Sequence, residues 1–208
     1  MMKKVNVLVL GALIAMGLSS CIKDGETYDP NAQYEIEKPI IEEYVTEHFA
    51  DPEYKEIQGY RIWFEIVEPG ELGSYQYKIG QNPNNPNQSI IIPAEAVASY
   101  EGRLVSNNSV FESKEDVEFV IPNGVIAAWQ LAFLPDEIRY DEDGQLLDEP
   151  IDFGGLTTEG LQPGSVIRIV TPSVWAYRNT SPSASIPANS PLYFEITVSE
   201  IKDYESNN

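Results

Sequence analysis

The chain has one cysteine and one histidine in 208 residues. An internal disulfide is therefore impossible, and no His/Cys set exists for a zinc site or a His-dependent catalytic triad. Basic residues are scarce as well. Against 33 Asp and Glu stand 13 Lys and Arg, for a formal net charge of −20. So acidic a chain is repelled by nucleic-acid phosphates and by anionic lipid, which argues against nucleic-acid or phosphate binding. The signatures GxxxxGK[ST], GxGxxG, HExxH, CxxC and GxSxG are all missing.

What is present suffices for a core. Hydrophobic residues make up 42% of the chain, and there are 12 tyrosines. This fits one domain with appendages and does not fit a disordered protein. At the N-terminus, Lys3 and Lys4 precede an apolar stretch over residues 5–18, and Leu18-Ser19-Ser20-Cys21 follows. The pattern is that of a secretory signal over residues 1–20, too short to span a membrane. Leu18-Ser19-Ser20-Cys21 resembles a bacterial lipobox, which implies lipid on Cys21, a membrane anchor and an extracytoplasmic location. Ile22-Lys23-Asp24-Gly25-Glu26 resembles the charged surface-export signal of some Bacteroidetes lipoproteins.

Beyond Cys21, residues 21–35 are polar and read as a tether, and residues 36–58 as a helical extension. The helix is expected at 40–49 (IIEEYVTEHF), with Pro39 in its first turn and His48 on its surface. It is short, so a monomer is expected. Strands are expected at 61–67, 97–104, 117–121, 165–171 and 192–201 from their alternation of apolar and polar residues. Residues 80–89 (GQNPNNPNQS) read as a loop. Residues 124–133 (GVIAAWQLAF) read as a nearly apolar helix of about three turns, capped by Asn123 and stopped by Pro135. Residues 136–163 form an insertion with a surface hairpin turning at Asp143-Gly144. The sum is α+β: an antiparallel twisted sheet wrapped around one short apolar helix, with a domain over residues 59–203. A helix apolar all round must be covered all round. Trp129 therefore either fills core or floors a pocket.

Five segments bear on that choice. They are Val97-Ala98-Ser99-Tyr100-Glu101-Gly102-Arg103-Leu104, Asn108-Ser109-Val110-Phe111-Glu112-Ser113, Phe119-Val120-Ile121 with Val125-Ile126-Ala127-Ala128-Trp129, Thr171-Pro172 with Trp175-Ala176-Tyr177, and Ile186-Pro187-Ala188-Asn189-Ser190-Pro191-Leu192-Tyr193-Phe194-Glu195-Ile196. In this order they resemble the motifs of the FKBP family of peptidyl-prolyl cis-trans isomerases, over residues 60–201.

The resemblance implies an aromatic cup with Trp129 as its floor, mostly buried with one ring face toward the cavity. Tyr100, Phe111 and Phe194 would be walls, and Val125 and Ile126 the rim, with the Ile126 N–H free for a substrate carbonyl. Tyr177 would be a wall whose hydroxyl bonds the substrate, Ile186 would flank the entrance, and Glu112 would stand where the family has aspartate. The sequence departs from the pattern at Glu112, Ala128, Arg178 and Val117, and residues 179–185 lack aromatics. The implied substrates are proline-containing polypeptides in exported proteins, with no cofactor or metal. The alternatives are an FKBP-like binding or chaperone module with little catalysis, and a glycan-binding surface lipoprotein presenting Trp63 and Trp175 as a platform.

Overall fold

The computed structural model describes residues 28–82 and 84–205. The expected signal segment, Cys21 and the start of the tether lie outside the described residues.

The first helix, α1 (Pro30–His48), begins ten residues before the expected start. Asp29 caps it, its carboxylate accepting from the N–H of Asn31 at 2.9 Å and of Ala32 at 3.2 Å. Its buried positions are Tyr34, Glu37, Ile41, Tyr44 and Val45, a stripe at three- and four-residue spacing. Pro39 sits inside the helix, not in its first turn, on the exposed face where water can serve the carbonyl it leaves unpaired. His48 is exposed as expected, stacked on Tyr44 at 4.0 Å.

The following segment, expected to be part of a helical extension, is a strand. β1 (Glu53–Ile57) and β2 (Tyr60–Pro69) form an antiparallel hairpin. It turns at Gln58-Gly59, both at positive φ (54° and 86°), the geometry a two-residue hairpin loop requires. Four more strands complete the main sheet: β5 (Ala94–Leu104), β6 (Val110–Ile121), β9 (Ser165–Thr171) and β10 (Leu192–Asp203). The order is β1-β2-β9-β10-β5-β6, antiparallel throughout.

Both faces of this sheet are covered. On one, Ile62, Phe64, Ile167, Ile169, Phe194 and Ile196 meet Ala128, Trp129, Ala132 and Phe133 of the second helix, α2 (Ala127–Phe133). On the other, Trp63, Val170 and Tyr193 meet Ile41, Tyr44 and Val45 of α1. That explains why β9 is apolar on both faces near its end. Its burial continues through Ile169, Val170 and Thr171 because a helix lies on each side.

α2 is shorter than expected. It starts at Ala127 with Ile126 as N-cap, and Asn123 does not cap it. Gly124, at φ +82°, turns the chain in the left-handed region and delays the helix.

The rest of the chain builds a second sheet that the sequence did not announce. Residues 80–89, expected as a loop, contribute to β3 (Lys78–Asn82) and β4 (Asn85–Ile91), which pair. The insertion supplies β7 (Glu137–Asp141) and β8 (Leu146–Asp152), and the order is β4-β3-β7-β8. The expected turn at Asp143-Gly144 is present: Gly144 has φ +76°, and the Asp141 carboxylate accepts from the N–H groups of Asp143 and Gln145. This hairpin is not a free surface feature. β7 runs parallel to β3, and Ile138, Leu147 and Ile151 join the core.

The insertion also covers the side of α2 that the main sheet leaves open. The N–H groups of Leu156 and Leu161 donate to the carbonyls of Leu131 (2.7 Å) and Phe133 (2.9 Å). These are last-turn carbonyls without helical partners. Such closeness demands glycine: a Cβ on Gly155 would lie 1.9 Å from the Leu134 carbonyl oxygen.

Candidate functional site: an aromatic cup over the second helix

Trp129 stands at the centre of the candidate site. Four rings surround it: Tyr100 at 5.0 Å and 89°, Phe119 at 5.2 Å and 63°, Phe194 at 5.5 Å and 87°, and Phe133 at 6.1 Å and 35°. The near-perpendicular pairs are the arrangement aromatic quadrupoles favour. Phe111 packs edge-on against Phe194 at 5.7 Å.

Each wall has a backbone reason for its place. Phe194 of β10 lies opposite Gly102 of β5. Phe111 is an extra residue in β6, because Gly102 pairs with Glu112 and Arg103 with Val110. This bulge aims Phe111 across the strand. Its ring then occupies the space a side chain at 102 would fill: a Cβ there would lie 2.4 Å from Phe111 Cζ and 3.1 Å from Phe194 Cε1. A glycine inside a strand marks such a close approach. Ser99 falls at a second irregularity, and its hydroxyl accepts from the N–H of Asp116 at 3.0 Å.

The polar groups gather at the rim. The Tyr100 hydroxyl donates to Glu112 Oε2 at 2.7 Å, so the longer acid still reaches the tyrosine. Burial, and then this bond to Glu112, push the Tyr100 hydroxyl's pKa well above the ordinary range. Burial, followed by the charge of Glu112, raises that of Tyr177 as well. Both hydroxyls remain protonated donors at neutral pH. That of Tyr177 bonds nothing among the described residues, and neither does the Ile126 N–H.

Of the nine residues expected here, Tyr100, Phe111, Glu112, Trp129 and Phe194 make direct contacts with one another. Val125, Ile126 and Tyr177 pack against the main core that contains Trp129 and Phe194, and Ile186 is part of that core. The sequence reading passed over Phe119 as a wall and Gly102 as the residue that makes room. The inward alternation of Val117, Phe119 and Ile121, and the glycine inside the expected strand at 97–104, were the available signals. Trp63 and Trp175 form no platform. Trp63 packs beneath α1 and against Tyr54, and Trp175 is wedged edge-on to Tyr60 with its indole nitrogen buried.

The cup is closed by its own walls. Trp129 is 4% exposed, Phe194 4% and Ile186 6%. Trp129 is buried as expected, but the ring face expected to open on a cavity is covered. Clefts occur elsewhere. One of about 740 Å³ is lined by Tyr75, Lys78, Lys202 and Asp203, and one of about 440 Å³ borders the cup at Phe119, Asn123 and Tyr204.

No protein-family model and no curated protein matches the chain. Among solved structures it is similar to a peptidyl-prolyl cis-trans isomerase from Pseudomonas syringae pv. tomato str. DC3000, at a TM-score of 0.49 and 19% identity over 86% of this chain and 100% of that one. It is also similar to FkpA from Escherichia coli, at 0.49 and 17% over 84% of this chain and 63% of that one. At identities this low, activity is read from the site residues themselves.

Proposed function

We propose that the cup binds proline in polypeptide substrates and accelerates rotation about the Xaa-Pro bond. The observation that carries this is Trp129 enclosed by Tyr100, Phe119 and Phe194, with Tyr177 packed against the core that contains Trp129 and its hydroxyl without a hydrogen-bond partner among the described residues. The barrier to rotation, about 18–20 kcal/mol, comes from amide resonance. No nucleophile or metal is needed to lower it, only a site that binds the twisted amide better than the planar one. Aromatic walls hold the proline ring and strip water from the amide, which favours the less polar twisted form. The Tyr177 hydroxyl and the Ile126 N–H then hold neighbouring carbonyls in the turned geometry. Glu112 fixes Tyr100 as a wall. Access to the floor, 4% exposed, requires the walls to move apart.

A second reading has its own support. A floor exposed by only 4% suits a binding or chaperone module that engages clients at the rim with little catalysis. One experiment separates the two. A soluble form starting near Glu26 is added to Xaa-Pro peptides, and cis-trans exchange is followed by magnetisation-transfer NMR. A Trp129→Ala, Tyr177→Phe double variant, checked for folding, serves as control. Acceleration that the variant loses supports the isomerase. No acceleration by the folded parent leaves the binding module. We further propose that lipid on Cys21 anchors the protein outside the cytoplasm. Incorporation of labelled palmitate that a Cys21→Ala variant abolishes would support the anchor, and unchanged incorporation would overturn it.

A further inference from the structure

Among the described residues two carboxylates are buried, Glu37 of α1 and Glu65 of β2. Glu65 has a cation beside it, Arg168 at 3.1 Å. Glu37 has none. It is 2% exposed, and its partners are neutral: the Ser173 N–H at 2.8 Å, the Ser173 hydroxyl at 2.5 Å and the Gln33 amide at 2.9 Å. Hiding a carboxyl group without a counter-charge is costly. Docking α1 does not call for it, since Ile41, Tyr44, Val45 and Phe49 already bury an apolar face against the sheet.

What Glu37 grips is a junction. Ser173 opens the short 3-10 turn Ser173–Trp175 that follows β9. Its N–H and hydroxyl are held by Glu37, while its carbonyl accepts from the N–H groups of Ala176 (3.0 Å) and Arg178 (2.8 Å). Those two residues bracket Tyr177. The same turn carries Trp175, which packs edge-on against Tyr60 at 6.1 Å, and the Tyr60 hydroxyl donates to Asn31 of α1 at 2.8 Å. The appended helix therefore holds the turn both directly and through Tyr60.

We propose that Glu37 is a positioning residue for the proline cup: through Ser173 it fixes the backbone that aims the Tyr177 hydroxyl at the substrate. This rests on the isomerase reading above. It makes α1, which carries none of the cup's side chains, a determinant of the rate.

The test is a double-mutant cycle on kcat/KM for one Xaa-Pro peptide. Glu37→Ala is expected to lower kcat/KM about 10-fold, since small misplacements of a positioned group cost factors of this size or more. In a Tyr177→Phe background, where there is no hydroxyl left to aim, Glu37→Ala is expected to change it less than twofold. Glu37→Gln keeps an acceptor for the Ser173 N–H and restores most of the activity. Equal losses in both backgrounds, or no loss in the first, overturn the proposal while leaving the isomerase in place. An inactive parent overturns the isomerase and this role together. Should Glu37→Ala fail to fold, Ser173→Ala takes its place, removing the hydroxyl bond but keeping the backbone one, with the same dependence on Tyr177 expected.

Discussion

Gly102 gives the most direct test of the cup's geometry. Replacing it with alanine places a methyl 2.4 and 2.5 Å from two carbons of Phe111 and 3.1 Å from Phe194. Ordinary carbon contacts lie near 3.5–4.0 Å, so Phe111 must shift by about 1 Å. Overpacking of this kind costs about 1–3 kcal/mol. Against it stands a gain of about 0.5–1 kcal/mol, because alanine loses less conformational entropy than glycine within a strand. The expected net destabilisation is about 1–2 kcal/mol. If Phe111 is the cause, the sign should reverse once its ring is removed: in a Phe111→Ala background, Gly102→Ala should be neutral or stabilising by about 0.5 kcal/mol. Urea unfolding followed by tryptophan fluorescence, with matched m-values, measures all four corners of the cycle. Equal cost of Gly102→Ala with and without the Phe111 ring would refute the close approach on which the cup depends.

Three further expectations concern single groups. Arg178 has φ +55°, in the left-handed region. Since the left-handed region costs a non-glycine residue about 1–2 kcal/mol, Arg178→Gly should stabilise the fold by about 0.5–1 kcal/mol, and a lower urea midpoint would contradict this. Tyr177→Phe should leave the unfolding midpoint within error, as its hydroxyl has no hydrogen-bond partner among the described residues, yet lower kcat/KM about 10-fold; a variant as active as the parent removes the hydroxyl from the mechanism. Glu65 is a buried carboxylate whose charge matters in acid. Burial alone would raise its pKa, but the N–H groups of Asp51 and Ala50, with Arg168, hold it below the ordinary value. A depressed folded-state pKa contributes stability that is present above the unfolded value and lost as pH falls through the folded one. Glu65→Gln should therefore cost about 1–2 kcal/mol at pH 7, a difference that shrinks as pH falls below about 4; a gap independent of pH would show that the charge is not the cause.

How legible this was differs from element to element. Strands β9 and β10 could be placed to within two residues, because both are rich in β-branched and aromatic residues and each begins directly after a glycine or proline. The extent of α1 was hidden by Glu37. With a charge in the middle of the buried stripe, residues 34 to 45 do not read as one helical face, and the neighbouring Pro39 reads as a beginning. The strand at 78–82 was hidden for another reason. Its antiparallel partner β4 lies in the same Pro/Asn-rich run, whose composition reads as a single loop.

The site divides the same way. The sequence by itself determined that the chain would not use a His-dependent triad or a His/Cys metal site. It also determined that a sheet would pack on an apolar helix. Those facts follow from residue types and short-range periodicity, which the chain carries locally; that Tyr100, Phe111 and Phe194 would meet Trp129 was implied only by the family resemblance. Only the tertiary structure decided that the insertion caps the second helix, that a bulge at Phe111 and a bare Gly102 fit together, that the floor is closed at rest, and that Glu37 from the appended helix reaches the turn before Tyr177. Each of these depends on how separate elements of the chain come together. A contact of that kind is set by how whole elements pack, a property that no single stretch of sequence contains.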